Sequence, residues 1–216
     1  ITFAGGDIDL ADGSNVTVES AGGAISVAGI SGTSDEIVVL NANAEGASAT
    51  ETVSLGNVGD SSQTEIHNLT VTANDGITLT GAIYTSDDDG SNGDIVFNDK
   101  VAINGTVIVD SDDGNITFTT SIDGADGTSD DLTIDGGTGT ITLQVIGATT
   151  SLSSLNINTD SNSTANLTVP NIGAGSAGVT GATAIGNANT GTLTLSGTVY
   201  KLSLIHISEP TRPLYI

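Results

Sequence analysis

An all-β chain wound as a parallel solenoid is the fold class this sequence predicts, and three observations predict it. A short phrase recurs: apolar residue, usually Thr, apolar residue, then a turn rich in Gly, Asp or Asn. It reads Val16-Thr17-Val18, Leu69-Thr70-Val71, Ile116-Thr117-Phe118, Leu132-Thr133-Ile134 and Leu193-Thr194-Leu195, among others. The phrases return at long, similar steps: Val107, Leu132 and Leu155 are 25 and 23 residues apart. The composition suits a narrow core, with 29 Gly, three each of Phe, Tyr and Pro, and no Cys, Met or Trp. A compact domain with a thick core would need more aromatic mass.

Side chains alternate across a strand, so each phrase puts two apolar residues on one face and a hydroxyl on the other. Neighbouring phrases start 8 or 9 residues apart, as from Leu69 to Ile77 and from Val107 to Ile116. Between them lie turns such as Asn74-Asp75-Gly76 and Asp112-Asp113-Gly114. Two-residue hairpin turns are not the rule there, which favours corners of a coil over an antiparallel meander. At roughly 23 residues per coil and about 4.8 Å per storey, eight or nine coils make a rod about 40 Å long. Residues 1–201 are expected to form this single elongated domain, and the chain reads as a fragment at both ends. The segments 41–50 and 173–190 are rich in Ala, Gly and Asn and are expected to be loops or enlarged coils. No recognisable caps shield the ends, so end-to-end association or poor solubility is expected.

Composition changes abruptly after Lys201. Residues 202–216 contain no Gly, Asp or Asn but two of the three Pro. The eleven residues 202–212, LSLIHISEPTR, resemble the conceptual translation of a transposase-based sequencing adapter. The segment 202–216 is therefore taken as a non-native, adapter-derived tail and set aside from fold reasoning.

Charge limits the partners. Twenty-six Asp and Glu against three Lys and Arg give a formal net charge of -23. Phosphate backbones and anionic lipid surfaces demand the opposite sign, so neither nucleic acid nor a membrane surface is an expected partner. No run is long enough for a transmembrane helix.

Gly114-Asn115-Ile116-Thr117-Phe118 with Ile122, the run from Asp131 through Ile134, Asp135, Gly136 and Gly137 to Ile141-Thr142-Leu143, and its continuation from Val145 to Ile157 carry a resemblance. They are similar to the repeat region of filamentous-haemagglutinin-like bacterial surface adhesins. That resemblance implies a right-handed parallel β-helix, secretion or cell-surface display associated with an outer membrane, and an adhesive or scaffolding role towards a host or environmental surface, with a carbohydrate or protein receptor. It supplies no catalytic residues.

A structural solenoid requires no cofactor, and calcium is the small ligand its turns suit best. Asp87, Asp88 and Asp89, and Asp110, Asp112 and Asp113, place hard oxygen donors on turns. The second group begins like an EF-hand loop but then loses the ligand spacing, and Asp and Gly also make ordinary turns. A polysaccharide lyase or hydrolase on the same scaffold is the alternative. It would need a base and cationic groups, and residues 1–201 offer only Lys100, Lys201 and His67. His67 is expected to be an ordinary surface residue. Outward hydroxyls such as Thr70, Thr117 and Thr142 raise an ice-binding solenoid as a third reading, although Thr suits any exposed strand. Six Asn-x-Ser/Thr sequons, at Asn15, Asn68, Asn104, Asn115, Asn162 and Asn166, are expected to be by-products of the repeat. The expected function is structural and adhesive, without catalysis.

Overall fold

The computed structural model describes residues 1–43, 50–60, 64–86, 93–160, 163–175 and 177–206. Among them are twenty strands and no helix. In order they are β1 (Thr2–Asp9), β2 (Asn15–Glu19), β3 (Ile25–Ser31), β4 (Ile37–Asn41), β5 (Thr52–Val58), β6 (Asn68–Thr72) and β7 (Gly76–Leu79). Next come β8 (Ile83–Tyr84), β9 (Ile95–Asn98), β10 (Val101–Ile103), β11 (Thr106–Asp110), β12 (Ile116–Phe118), β13 (Ile122–Gly124) and β14 (Asp131–Asp135). The last are β15 (Ile141–Thr142), β16 (Ser154–Ile157), β17 (Leu167–Val169), β18 (Val179–Ile185), β19 (Leu193–Leu195) and β20 (Leu202–His206).

Every named strand pairs in parallel with a strand of the next coil, never with its neighbour in sequence, which makes the molecule a parallel β-solenoid of about seven turns. Three walls result. The first stacks β1, β3, β5, β7, β10 and β13 and continues through single bridges at Ile146, Ile172 and Tyr200. The second stacks β8, β11, β14, β16, β18 and β20. β5 serves both, since its Val53 pairs with Ile77 of β7 and its Val58 with Ile83 of β8. The third stacks β2, β4, β6, β9, β12 and β15, with β17 and β19 as a separate pair.

Alternation within each strand turns this register into continuous apolar rows. On the first wall Ile25, Val53, Ile77, Val101, Ile122, Ile146, Ile172 and Tyr200 lie one above another. Steps along this row range from 21 residues (Val101 to Ile122) to 28 (Ile25 to Val53). The coils therefore average slightly longer than the expected 23 residues. Inward residues such as Leu69, Ile95, Ile116, Val109 and Ile134 are fully buried. Each contributes about 1.5–3 kcal/mol of burial before chain entropy is subtracted.

Glycine is required where coils approach closely. A Cβ on Gly114 would stand 2.0 Å from the Gly93 carbonyl oxygen, and one on Gly139 would stand 2.0 Å from that of Gly114. Gly93, Gly114 and Gly139 thus form a vertical row at the corner leading into the third wall.

Both irregular segments fall within the longest coils of this row, Ile25 to Val53 and Ile172 to Tyr200 at 28 residues each, as expected of enlarged coils, but one of them is more regular than its composition suggests. Within 173–190, β18 pairs with β16 and β20, so this stretch is built into the second wall. Its Ala and Gly content hid the alternation that Val179, Thr183 and Ile185 continue. Of 41–50, Asn41 closes β4 and Asn43 bridges Ala21, while 44–49 lie outside the described residues. In the tail, β20 adds to β18 as Leu202, Leu204, Ile205 and His206 meet Val179, Ala182, Thr183 and Ala184. An alternating segment can add to any open parallel edge, so this pairing does not bear on the origin of 202–216.

Candidate functional site

Polar chemistry concentrates at the corners and on one outer face. At the corner after the second wall, Asp110 lies in the ladder between Tyr84 and Asp135. Burial pushes its carboxyl up to about 6; the Asp112 N–H opposes the shift, while the charges of Asp135, Asp112 and Asp160 add to it. Burial and the charges of Asp110 and Asp60 likewise raise the Tyr84 phenol. A hollow of about 190 Å³ opens between Glu65, Tyr84, Thr85, Ser86, Asp110 and Asp112.

Asp112 and Asp113 take left-handed backbone, with φ of 42° and 76°. The Asp112 N–H donates to Asp110 Oδ1 at 3.2 Å. Asp113 faces the next storey, where its Oδ1 accepts the Thr138 N–H at 2.6 Å. Proximity in sequence therefore does not bring Asp110, Asp112 and Asp113 to one point. Among the described residues no three His, Cys, Asp or Glu are grouped so as to hold a metal ion. Asp87, Asp88 and Asp89 lie outside the described residues.

Other carboxylates and amides join storeys. Asn68 Oδ1 accepts the Asp94 N–H at 2.7 Å. Asp94 Oδ1 takes the backbone and side-chain N–H groups of Asn115 at 2.8 and 3.0 Å. Asn115 Oδ1 accepts the Thr140 N–H at 3.0 Å, and Asn166 Oδ1 that of Thr192 at 2.8 Å. Three of the sequon asparagines are thus structural rungs. Glu36, with no exposed surface, is held by the Thr33 hydroxyl at 2.6 Å and the Thr33 N–H at 2.8 Å. Burial alone would raise its carboxyl, but these Thr33 bonds and nearby backbone N–H groups leave it below the usual carboxylate range. Buried Asp130 accepts N–H groups from Gly105, Asp126 and Gly127. Sequence reasoning missed these roles because each needs the register between residues on different coils or the path of a turn.

The outer face of the first wall carries a trough of about 230 Å³. Thr78 and Ala102, adjacent rungs, form its floor. One side is Lys100, whose Nζ stands 3.4 Å from Asp75 Oδ1, with both side chains half exposed. The other is the loop carrying Thr149 and Thr150, whose N–H groups donate to Asp123 Oδ1 at 2.7 and 3.3 Å. Hydroxyls, two carboxylates and one ammonium converge there around a small floor residue, an arrangement able to hydrogen-bond a polar group of modest size.

His67 is half buried, its Nδ1 3.4 Å from the Ser86 carbonyl oxygen. The outer row of the third wall reads Thr17, Val39, Thr70, Val96, Thr117 and Thr142, so valines interrupt the threonines. None of the described residues forms a helix long and apolar enough to cross a membrane. These features define a parallel β-solenoid with polar corner ladders. Comparison with protein-family models, curated proteins and solved structures gave no match.

Proposed function

We propose that the chain is a rigid spacer and contact segment of a large secreted or surface-displayed bacterial protein of the filamentous-haemagglutinin-like kind, and that it acts without catalysis. The observation that supports this most is the row from Ile25 to Tyr200, seven in-register steps that build a rod from repeated storeys. Corner side chains such as Asn68, Asp94, Asn115 and Asp113 are engaged with the coil above or below. The trough around Ala102 offers an outer surface for contact with a carbohydrate or protein receptor on a host or environmental surface. Such contacts are individually weak and gain strength when many rods are displayed together.

The test couples the chain to beads and measures their retention on glycan- and protein-coated surfaces, with Ala102→Trp filling the trough. Retention by the wild type that Ala102→Trp loses supports the proposal. Release of reducing ends from a polysaccharide panel would replace it with the carbohydrate-active alternative.

A further inference from the structure

We infer that the trough on the first wall takes one neutral hexose unit of a glycan, held through its hydroxyl groups; this rests on the same trough that the adhesive reading uses as a contact surface. Two features of the trough select this class of ligand, and a third sets its strength. The first is shape. The outward column of the first wall runs Ser54, Thr78, Ala102 and Asp123, so the methyl of Ala102 leaves a gap between larger side chains. Beside it the Lys100 stem lies across Gly76, where an added Cβ would stand 3.1 Å from Lys100 Cε. The loop carrying Thr149 and Thr150 closes the far side, tied by two N–H groups to Asp123 Oδ1. Sites for drug-sized molecules run to about 300–1,000 Å³, so the volume of about 230 Å³ here suits a single sugar ring.

The second feature is the mixture of donors and acceptors. The Asp75 and Asp123 carboxylates only accept, the Lys100 ammonium only donates, and the Thr78 hydroxyl does either. A sugar hydroxyl donates and accepts at once, so neighbouring hydroxyls satisfy carboxylate and ammonium together. A carboxylate or sulfate would bring acceptors alone to a site with two carboxylates, on a chain of net charge -23. An ammonium would bring donors alone and would contest Asp75 with Lys100, whose Nζ already stands 3.4 Å from Asp75 Oδ1. It would meet Asp123 with one oxygen already taken by the Thr149 and Thr150 N–H groups. The third feature is that no aromatic ring stands among the described lining residues. Affinity then comes from hydrogen bonds without ring stacking, and a single site binds weakly.

The test follows the backbone amides of the isotope-labelled full chain by NMR as soluble sugars are added. Tetrasaccharides of glucose, galactose and mannose are the neutral probes, with tetragalacturonate as the anionic probe and a chitosan tetramer as the cationic one. At least one neutral probe should shift the Ala102 and Thr150 amides saturably, and about tenfold more tightly than either charged probe. Lys100→Ala should weaken that binding about tenfold and Ala102→Trp should abolish it, with the remaining amide spectrum showing that both variants fold. Neutral probes that leave these amides unmoved, a charged probe that binds as tightly, or shifts that survive both substitutions would overturn the inference. Beads still retained on protein-coated surfaces while the neutral probes fail would leave the adhesive reading standing alone. Saturable neutral-sugar shifts with no retention on any surface would remove the adhesive reading and keep the sugar site.

Discussion

Phe97 and Phe118 occupy one inward row of the third wall on adjacent storeys, their ring centroids 4.9 Å apart and their planes inclined by 31°. Both rings are fully buried. Phe118→Ala should therefore open a cavity beside Phe97 and cost about 3–5 kcal/mol, read from urea unfolding. Phe118→Leu should cost distinctly less. Equal losses for the two would show that ring stacking and volume do not govern this row.

Thr183 stands in the inward row of Val107, Leu132 and Leu155, where it is 3% exposed. Among the described residues its hydroxyl has no hydrogen-bond partner. Thr183→Val keeps the shape and removes the unmet polar group, so it should raise stability by about 1 kcal/mol. A lower thermal midpoint would mean the hydroxyl is engaged.

The glycine row gives a steric prediction. Gly114→Ala forces a methyl against the Gly93 carbonyl and should cost about 1–3 kcal/mol. Gly5→Ala, where a Cβ meets nothing within 4 Å, is the matched control and should be close to neutral by the same unfolding assay.

Asp110 gives the pH prediction. Its folded carboxyl sits at about 6 against an ordinary value of 3.8, so the folded state binds its proton more tightly than the unfolded chain. The stability this confers is fully present below about pH 4 and is lost as pH rises through about 6. Asp110→Asn should flatten that part of the stability profile. At pH 7 it should gain roughly 1–3 kcal/mol, the lower end reflecting partial exposure to solvent. A profile of thermal midpoints unchanged by the substitution would remove Asp110 from the account.

Much of this architecture was legible because its signal is periodic. Val107, Leu132 and Leu155, picked out by their spacing alone, are vertical neighbours in β11, β14 and β16. Leu69 and Ile77, paired across a Gly-containing turn, lie on consecutive walls as a corner requires. What could not be read depends on register to the residue. Asn115 meets Thr140, and Asp113 meets Thr138, across 25 residues, a distance over which a local motif carries no information. β18 escaped notice because its Ala and Gly are too small to mark an inward row, even though its backbone pairs with β16 and β20. The trough exists only because Thr78 and Ala102 are stacked, which composition does not reveal.

Stacking of successive coils is tested most directly by paired cysteines, since the chain has none of its own. Thr78→Cys/Ala102→Cys places the thiols on outward positions of adjacent storeys, about 4.8 Å apart at Cα, within disulfide range. Ser54→Cys/Ala102→Cys leaves one storey between them, at roughly twice that distance. Under mild oxidation the first pair should close an intramolecular disulfide and the second should not. Failure of the first pair to close in a folded, dilute sample, or equal closure of both, would contradict the parallel solenoid.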